Sequence, residues 1–475
     1  MKSFSKKSYS IKAMEVILDY IHQIEYSSIP SYVSEYVKVH VLDTLGALFA
    51  GSRAKVSQRL LSLIKGWQCR KEATVLLYGH KTLLPWASWL NSTMVRGFDY
   101  EPILMGGATH VPGSIIPAAL NLAEYAESRL GKRISGKELI VSIVIGLDLN
   151  WRLRAAGRGK KTTGMGSGWL AETFSPIAIA ALGGKLLEFT KEQINYAMAI
   201  GFCQSCGHYG ATVGPNGGLM AQLSQGLGTK NGILAVLLAA KGFKAFKDII
   251  GGKWGLYILF GDGKYDTNIL LGNLGTKFDH LRPYVKKYPG CGALQAPVEA
   301  TLRIVNKEDL NPEDVAEIKV KIDPLSYELV AEGKGNTLPE EGDALWDCFY
   351  AVALAVKKKR VSIEDFTEEG IKGSGILDLL PKIKIIRDKR KKVRMGAEVE
   401  IKTKRGYVYC EKIENLDSLE EQTLIEKFKN CCNVSPKRFS KSQIELIIKQ
   451  VKELENLDSV TKLIKKCIVS NFEDE

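Results

Sequence analysis

Nowhere in these 475 residues does an apolar run approach the ~20 positions that a membrane-spanning helix needs, so no membrane partner is expected. Histidine is scarce: the 6 present are too dispersed to make a ligand set, which argues against a metal-dependent hydrolase and leaves no metal expected. The 9 cysteines are odd in number and follow no framework, so reduced thiols are expected rather than a disulfide-stapled secreted domain. Cys203-Gln-Ser-Cys206 is a lone C-x-x-C in an apolar helical run and reads as a pair of buried structural thiols. The glycine-rich segments Thr163–Gly168 and Thr212–Gly218 lack both the Gly-Lys-Ser/Thr of a phosphate-binding loop and the strand that precedes a dinucleotide fingerprint. No aromatics are interleaved with the basic runs Lys357–Arg360 and Lys389–Lys392. The net charge of +13 therefore reads as a solvated face, or as steering for an acidic substrate, and not as a nucleic-acid surface. The first ten residues are basic, but no apolar signal core follows them, and a cytoplasmic location is expected.

What the chain does contain is helical periodicity. Val33, Val37, Val41, Leu45 and Leu48 trace one face, and the 3.6-residue spacing continues through Ser135–Leu153, Thr190–Cys206 and Leu219–Ala240. Ala- and Gly-rich stretches such as Ala178–Gly184 predict helices in close contact. The pattern changes after about residue 268. Glu317–Ile322 and Lys382–Ile386 alternate with period two, and Glu398–Tyr409 predicts a hairpin turning near Lys404-Arg405-Gly406. Helical spacing returns from about 416 and runs through Ser442–Lys466. The expected architecture is mainly α, with a large helical domain (1–267), a smaller α+β layer with an antiparallel sheet (268–412) and a helical segment (413–475).

The segment Val95–Ser114, V-R-G-F-D-Y-E-P-I-L-M-G-G-A-T-H-V-P-G-S, carries the most chemistry. Asp99, Tyr100 and Glu101 lie before a glycine-rich bend and His110 lies after it. The apolar run Ile115–Tyr125 predicts a helix with Ser114 as its N-cap and Pro117 in its first turn. A histidine just ahead of a helix N-terminus is disfavoured as imidazolium, and the helix end favours an anion. That combination suits proton transfer on a carboxylate; a capped helix behind a polar loop accounts for the same residues without any chemistry.

The pattern F-D-x-x…A-T-H-x-P-G-S resembles the histidine motif of the MmgE/PrpD family, whose members include 2-methylcitrate dehydratase, cis-aconitate decarboxylase and an iminodisuccinate epimerase. Val41–Gly51, Thr173–Leu187, Asn231–Phe243 and the turn Lys286–Cys291 (K-K-Y-P-G-C) are similar to further family signatures in the same order. The resemblance implies a homodimer, an α+β lid over the active site, a C-terminal segment folded back on the helical domain, and elimination chemistry without a metal or organic cofactor. Trp254 and Tyr257 are then expected to seal the junction between bundle and lid.

Carried over one residue at a time, the resemblance makes His110 the base, with Asp99 orienting it. It makes Lys286 the holder of a substrate carboxylate, and Tyr327, in D-P-L-S-Y, the acid. Other family positions differ. Gly97 replaces an acidic residue, Trp169 the central histidine, Ala221-Gln222 a Lys-Arg pair, and Cys291 a histidine, while Leu104–Gly107 lengthens the loop. Lys287, Trp169, Gln222, Cys291 and His208 are the candidate substrate-binding residues, with His208 and Glu172 available for acid–base work. Replacing an ionic partner in such a pocket with a neutral residue costs about 2–5 kcal/mol of binding, so the expected substrate is a carboxylic acid or derivative less charged than 2-methylcitrate. Two functions stand: a cofactor-independent lyase or isomerase abstracting the proton α to a carboxylate, or a catalytically inactive relative serving as a small-molecule-binding or scaffold protein.

Overall fold

The computed structural model describes residues 6–104, 109–158, 171–205, 207, 218–260, 263–335, 337–389, 395–414 and 420–469. Its helical part comprises α1 (Lys6–Gln23), α2 (Ser31–Gly51), α3 (Lys55–Lys65), α4 (Leu84–Val95), α5 (Pro112–Leu130), α6 (Gly136–Ala155), α7 (Ser175–Leu186), α8 (Lys191–Cys203) and α9 (Gly218–Ala240). Every residue of α2 from His40 to Gly51 is buried, because the sequence is apolar or small on all faces and other helices surround it. Small residues set how closely α7 and α9 approach. A Cβ at Gly232 would stand 2.6 Å from Ile179 Cβ, and one at Gly183 would stand 2.5 Å from Val236 Cγ2. The predicted close packing of the Ala/Gly-rich helix is therefore present. None of the described helices is long and apolar enough to cross a membrane.

The second part contains α10 (Gly292–Lys307), β1 (Val315–Ile322), α11 (Pro324–Val330), α12 (Cys348–Lys358), β2 (Ile383–Arg387), β3 (Ala397–Thr403) and β4 (Val408–Ile413). The sheet order is β4-β3-β1-β2. The hairpin forms as expected, with Cys410 opposite Glu400 and a turn containing Gly406 at φ 91°. The sheet is mixed, because β1 and β2 run parallel, with Ile318 paired to Ile383, whereas the other two pairings are antiparallel. Alternating burial along β3 turns Val399 and Ile401 into a core shared with α10 and α12. The chain then returns: α13 (Glu421–Val434), α14 (Lys441–Lys452) and α15 (Thr461–Lys466) place Phe428, Ile447 and Leu463 in the same core as α2.

Three local expectations need correction. Ser114 is not an N-cap, since α5 begins at Pro112 behind Val111. Proline suits the first turn because its missing N–H has no intrahelical partner there. Pro117 then lies inside α5 without breaking it. The Gly113 carbonyl that Pro117 cannot reach accepts instead from Ser92 Oγ at 2.8 Å. Trp254 does not seal a junction but stands 65% exposed, while Tyr257 is buried in the helical core and donates to the Leu153 carbonyl. Cys203 is exposed, and Cys206 lies outside the described residues.

Candidate active site

The site forms where α4 ends. The C-terminal residue of α4 is Val95, and Arg96, Gly97, Phe98 and Asp99 follow in a tight reversal with Asp99 at φ 48°. Gly97 is obligatory, because a Cβ there would lie 2.4 Å from the Gly51 carbonyl oxygen at the end of α2. Helix packing thus fixes a glycine at this position. Beyond the reversal, Ile103–Leu104 forms a short antiparallel ladder with Pro283–Tyr284. This pairing carries Lys286 alongside Asp99 although 187 positions separate them. Leu104 also bridges to Thr109, which returns the chain to His110 at the head of α5.

Charge is dense in this cluster. The Lys286 ammonium donates to both the Asp99 carbonyl and Asp99 Oδ1, the latter at 2.7 Å, and lies 4.0 Å from Glu101 Oε2. Arg96 Nη1 donates to Glu101 Oε1 at 2.8 Å and lies 3.5 Å from Asp99 Oδ1 and 4.0 Å from Glu172 Oε1. His110 Nδ1 is 2.8 Å from Glu101 Oε1 and 3.4 Å from Asp99 Oδ1. Arg96, Asp99, Glu101 and Lys286 are essentially inaccessible, whereas the His110 side chain keeps 15% of its exposure.

The protonation states follow from these contacts. Burial alone would raise the Glu101 carboxyl, but Lys286, Arg96 and His110 outweigh it and hold the group well below the usual carboxylate range. Burial, reinforced by Arg96, pushes the His110 imidazole below its ordinary value despite Asp99 and Glu101. A neutral imidazole facing an ionised carboxylate must donate from Nδ1, which leaves the lone pair on Nε2. That is the orientation of a general base backed by a carboxylate.

Asp99, Glu101 and His110 offer atoms within 4.8 Å of one another, a spacing that a metal ion can use. Two buried cations already occupy the cluster, Lys286 at 2.7 Å from Asp99 Oδ1 and Arg96 at 2.8 Å from Glu101 Oε1. A dication held through Asp99 Oδ2 and Glu101 Oε2, the oxygens without a hydrogen-bond partner among the described residues, would be repelled by both, so the donors fit a metal poorly.

The other sequence candidates are distributed differently. Gln222 is buried and donates from Nε2 to the Gly97 carbonyl at 2.7 Å, so it ties α9 to the reversal. Cys291 is buried at the start of α10, and burial together with Asp99 pushes its thiol up to about 12, which keeps it protonated. Lys287 turns away to Glu299 at 3.4 Å. Tyr327 lies on α11 against the α+β core, and among the described residues no hydrogen bond or ion pair joins it to the cluster. Trp169 and His208 lie outside the described residues.

Arg96 and Glu101 are the partners whose roles the motif did not specify. A second layer supports them. The Lys427 ammonium from α13 pairs with Asp43 of α2 at 2.8 Å, donates to the Tyr100 carbonyl at 2.8 Å and lies 3.8 Å from the Tyr100 ring centre. Asp43 thus ties α2 to α13.

Residues 15–268 match the MmgE/PrpD N-terminal domain and residues 288–454 match the MmgE/PrpD C-terminal domain. The chain belongs to the MmgE/PrpD family. It is 26% identical over 300 residues to a cis-aconitate decarboxylase of Aspergillus terreus (strain NIH 2624 / FGSC A1156), a match spanning 61% of this chain and only 60% of that relative. It is 22% identical over 466 residues to the cis-aconitate decarboxylase of Homo sapiens, covering 93% of this chain and 92% of that protein. To the mitochondrial 2-methylcitrate dehydratase of Yarrowia lipolytica it is 24% identical over 492 residues, covering 92% and 86%. At this identity the chain is a divergent MmgE/PrpD member.

Proposed function

We propose that the chain is a lyase or isomerase that removes the proton α to a carboxylate, with His110 Nε2 as the base. The observation that carries the proposal is the 2.8 Å contact between His110 Nδ1 and the buried, ionised Glu101. When Nε2 takes a proton the imidazolium is stabilised at once by Glu101, and by Asp99 at 3.4 Å. Lys286 and Arg96 hold Glu101 ionised in a buried setting, so both act on the base through its partner. Tyr327 is the proton donor that the family resemblance supplies, brought by the α+β layer acting as a lid. The relative named as a dehydratase supports loss of water after the proton is removed; the relatives named as decarboxylases fit the same histidine used in the other direction, as an acid returning a proton to the carbon from which carbon dioxide departs.

The substrate is less charged than a tricarboxylate. Among the described residues, the two cations of the cluster already face Asp99, Glu101 and Glu172. Gln222 is engaged by the Gly97 carbonyl, and Ala221 is buried in the α+β core. Proton NMR on a panel running from cis-aconitate and 2-methylcitrate to monocarboxylates and their amides tests this reading. Turnover confined to acids with one or two carboxylates supports it, and turnover fastest on the tricarboxylates contradicts it.

The same reading includes a homodimer. Phe243, Phe246, Trp254, Ile258 and Leu259 are exposed within one short stretch of chain, apolar side chains that a second subunit would cover. Sedimentation equilibrium is expected to give twice the chain mass. A non-catalytic binding protein is the second reading, favoured by the burial of Arg96 and Lys286 against carboxylates of the chain itself; absence of turnover with retained ligand binding would establish it.

A further inference from the structure

A cavity lies away from the cluster and shares no residue with it. It opens where the end of α1, the first turns of α6, the end of α7 and the start of α8 meet, and its volume is about 330 Å³. That is enough for a small organic ligand. Ile24, Val141, Leu186, Phe189 and Ile194 form an apolar floor. Lys132, Lys137 and Lys185 surround it, and their states differ. Lys132 is neutralised by Glu188 at 2.8 Å. Glu138 is occupied in capping α6, accepting from the backbone N–H of Ser135 at 2.8 Å and from its hydroxyl at 2.7 Å. Lys137 has its ammonium 5.4 Å from the Tyr26 ring centre. Lys185 donates to the His22 carbonyl at 2.8 Å. Among the described residues no carboxylate lies within ion-pair distance of either Lys137 or Lys185. Two ammonium groups without a direct ion pair therefore border an apolar hollow, whose rim also carries Glu25 and Glu138. Burial, with Lys132 adding to it and Glu25 opposing, pushes the Lys185 ammonium below its ordinary value, the cost that a neighbouring anion would relieve.

We propose that this cavity is a second small-molecule site for an amphipathic anion: a monocarboxylate whose aliphatic or aromatic tail lies on the apolar floor and whose head group pairs with Lys185 and Lys137. The apolar contacts supply affinity and the ammonium groups supply selection for charge. Neutral analogues of the same tail length lack the ion pair, and acetate lacks the tail.

Calorimetric titration of the full chain with sodium octanoate tests the site, with octan-1-ol and acetate as comparisons. One saturable equivalent is expected, weakened about tenfold or more in Lys185→Met and unchanged in His110→Ala, which leaves this cavity intact. Location is read independently on the unaltered protein. Trinitrobenzenesulfonate at neutral pH should modify Lys185 early, and octanoate should slow that modification, as scored by peptide mass mapping. No saturable binding, equal affinity for octan-1-ol, unchanged affinity in Lys185→Met, or a Lys185 labelling rate indifferent to octanoate would each overturn the proposal. The labelling arm decides it even if Lys185→Met does not fold.

Discussion

Replacing His110 with alanine removes the one member of the cluster that is both basic and partly exposed. Turnover is expected to fall by about 10²–10⁴-fold with little change in thermal stability, measured by steady-state rates beside a melting curve. Glu101→Gln is expected to cost a comparable factor, because a neutral amide neither fixes the Nδ1–H tautomer nor stabilises imidazolium. The base works only when deprotonated, and burial holds His110 below its ordinary value. The rate should therefore rise with pH to a midpoint below about 6.5 and stay level above it. A midpoint above neutrality would contradict the account. The motif made Asp99 and His110 legible, and K-K-Y-P made Lys286 legible. Which carboxylate faces the imidazole was not, since that depends on the left-handed turn at Asp99, which presents Glu101 rather than Asp99 to Nδ1. A linear motif records the acids but not the direction of the chain through them.

The elements around the motif hold it by close approach and buried polar contacts. Gly97→Ala would drive a methyl group into the Gly51 carbonyl, so α2 and α4 must separate. A loss of about 1–3 kcal/mol by urea denaturation is expected, with a larger fractional loss of activity because Arg96 and Asp99 flank the position. His40 of α2 is fully buried beside the Leu281 carbonyl, 2.9 Å from Nε2, and burial lowers its pKa to about 4. The folded state binds this proton less readily than the unfolded chain, so the contribution is complete above the unfolded value near 6.5. It is lost as pH falls toward 4, to the extent of about 3 kcal/mol. A protein with His40→Asn should show a shallower loss of melting temperature between pH 6.5 and 4. Helix positions were readable from spacing because the apolar faces repeat every 3.6 residues. The parallel pairing of β1 with β2 was not, because strand alternation is the same whichever way a distant partner runs.

At the scale of the whole molecule, the site is assembled from three stretches of chain that meet at one reversal. The helical part contributes Arg96, Asp99, Glu101 and His110, the segment after it contributes Lys286, and the returning α13 contributes Lys427 from behind. Lys427→Met should leave Asp43 buried without its cation and destabilise the fold by about 3–5 kcal/mol in chemical denaturation, whereas pairing it with Asp43→Leu should recover most of that loss. Family resemblance fixed which stretches meet, but not the Lys427–Asp43 contact that braces them, because that lysine lies outside every recognisable motif. Under the proposed function His110 abstracts a proton α to a carboxylate. The most direct test is proton NMR of candidate acids in D₂O with the unaltered protein, His110→Ala and Glu101→Gln. α-Deuterium incorporation is expected with the unaltered protein, lost in His110→Ala and slowed in Glu101→Gln; exchange that continues unchanged in His110→Ala would rule out His110 as the base.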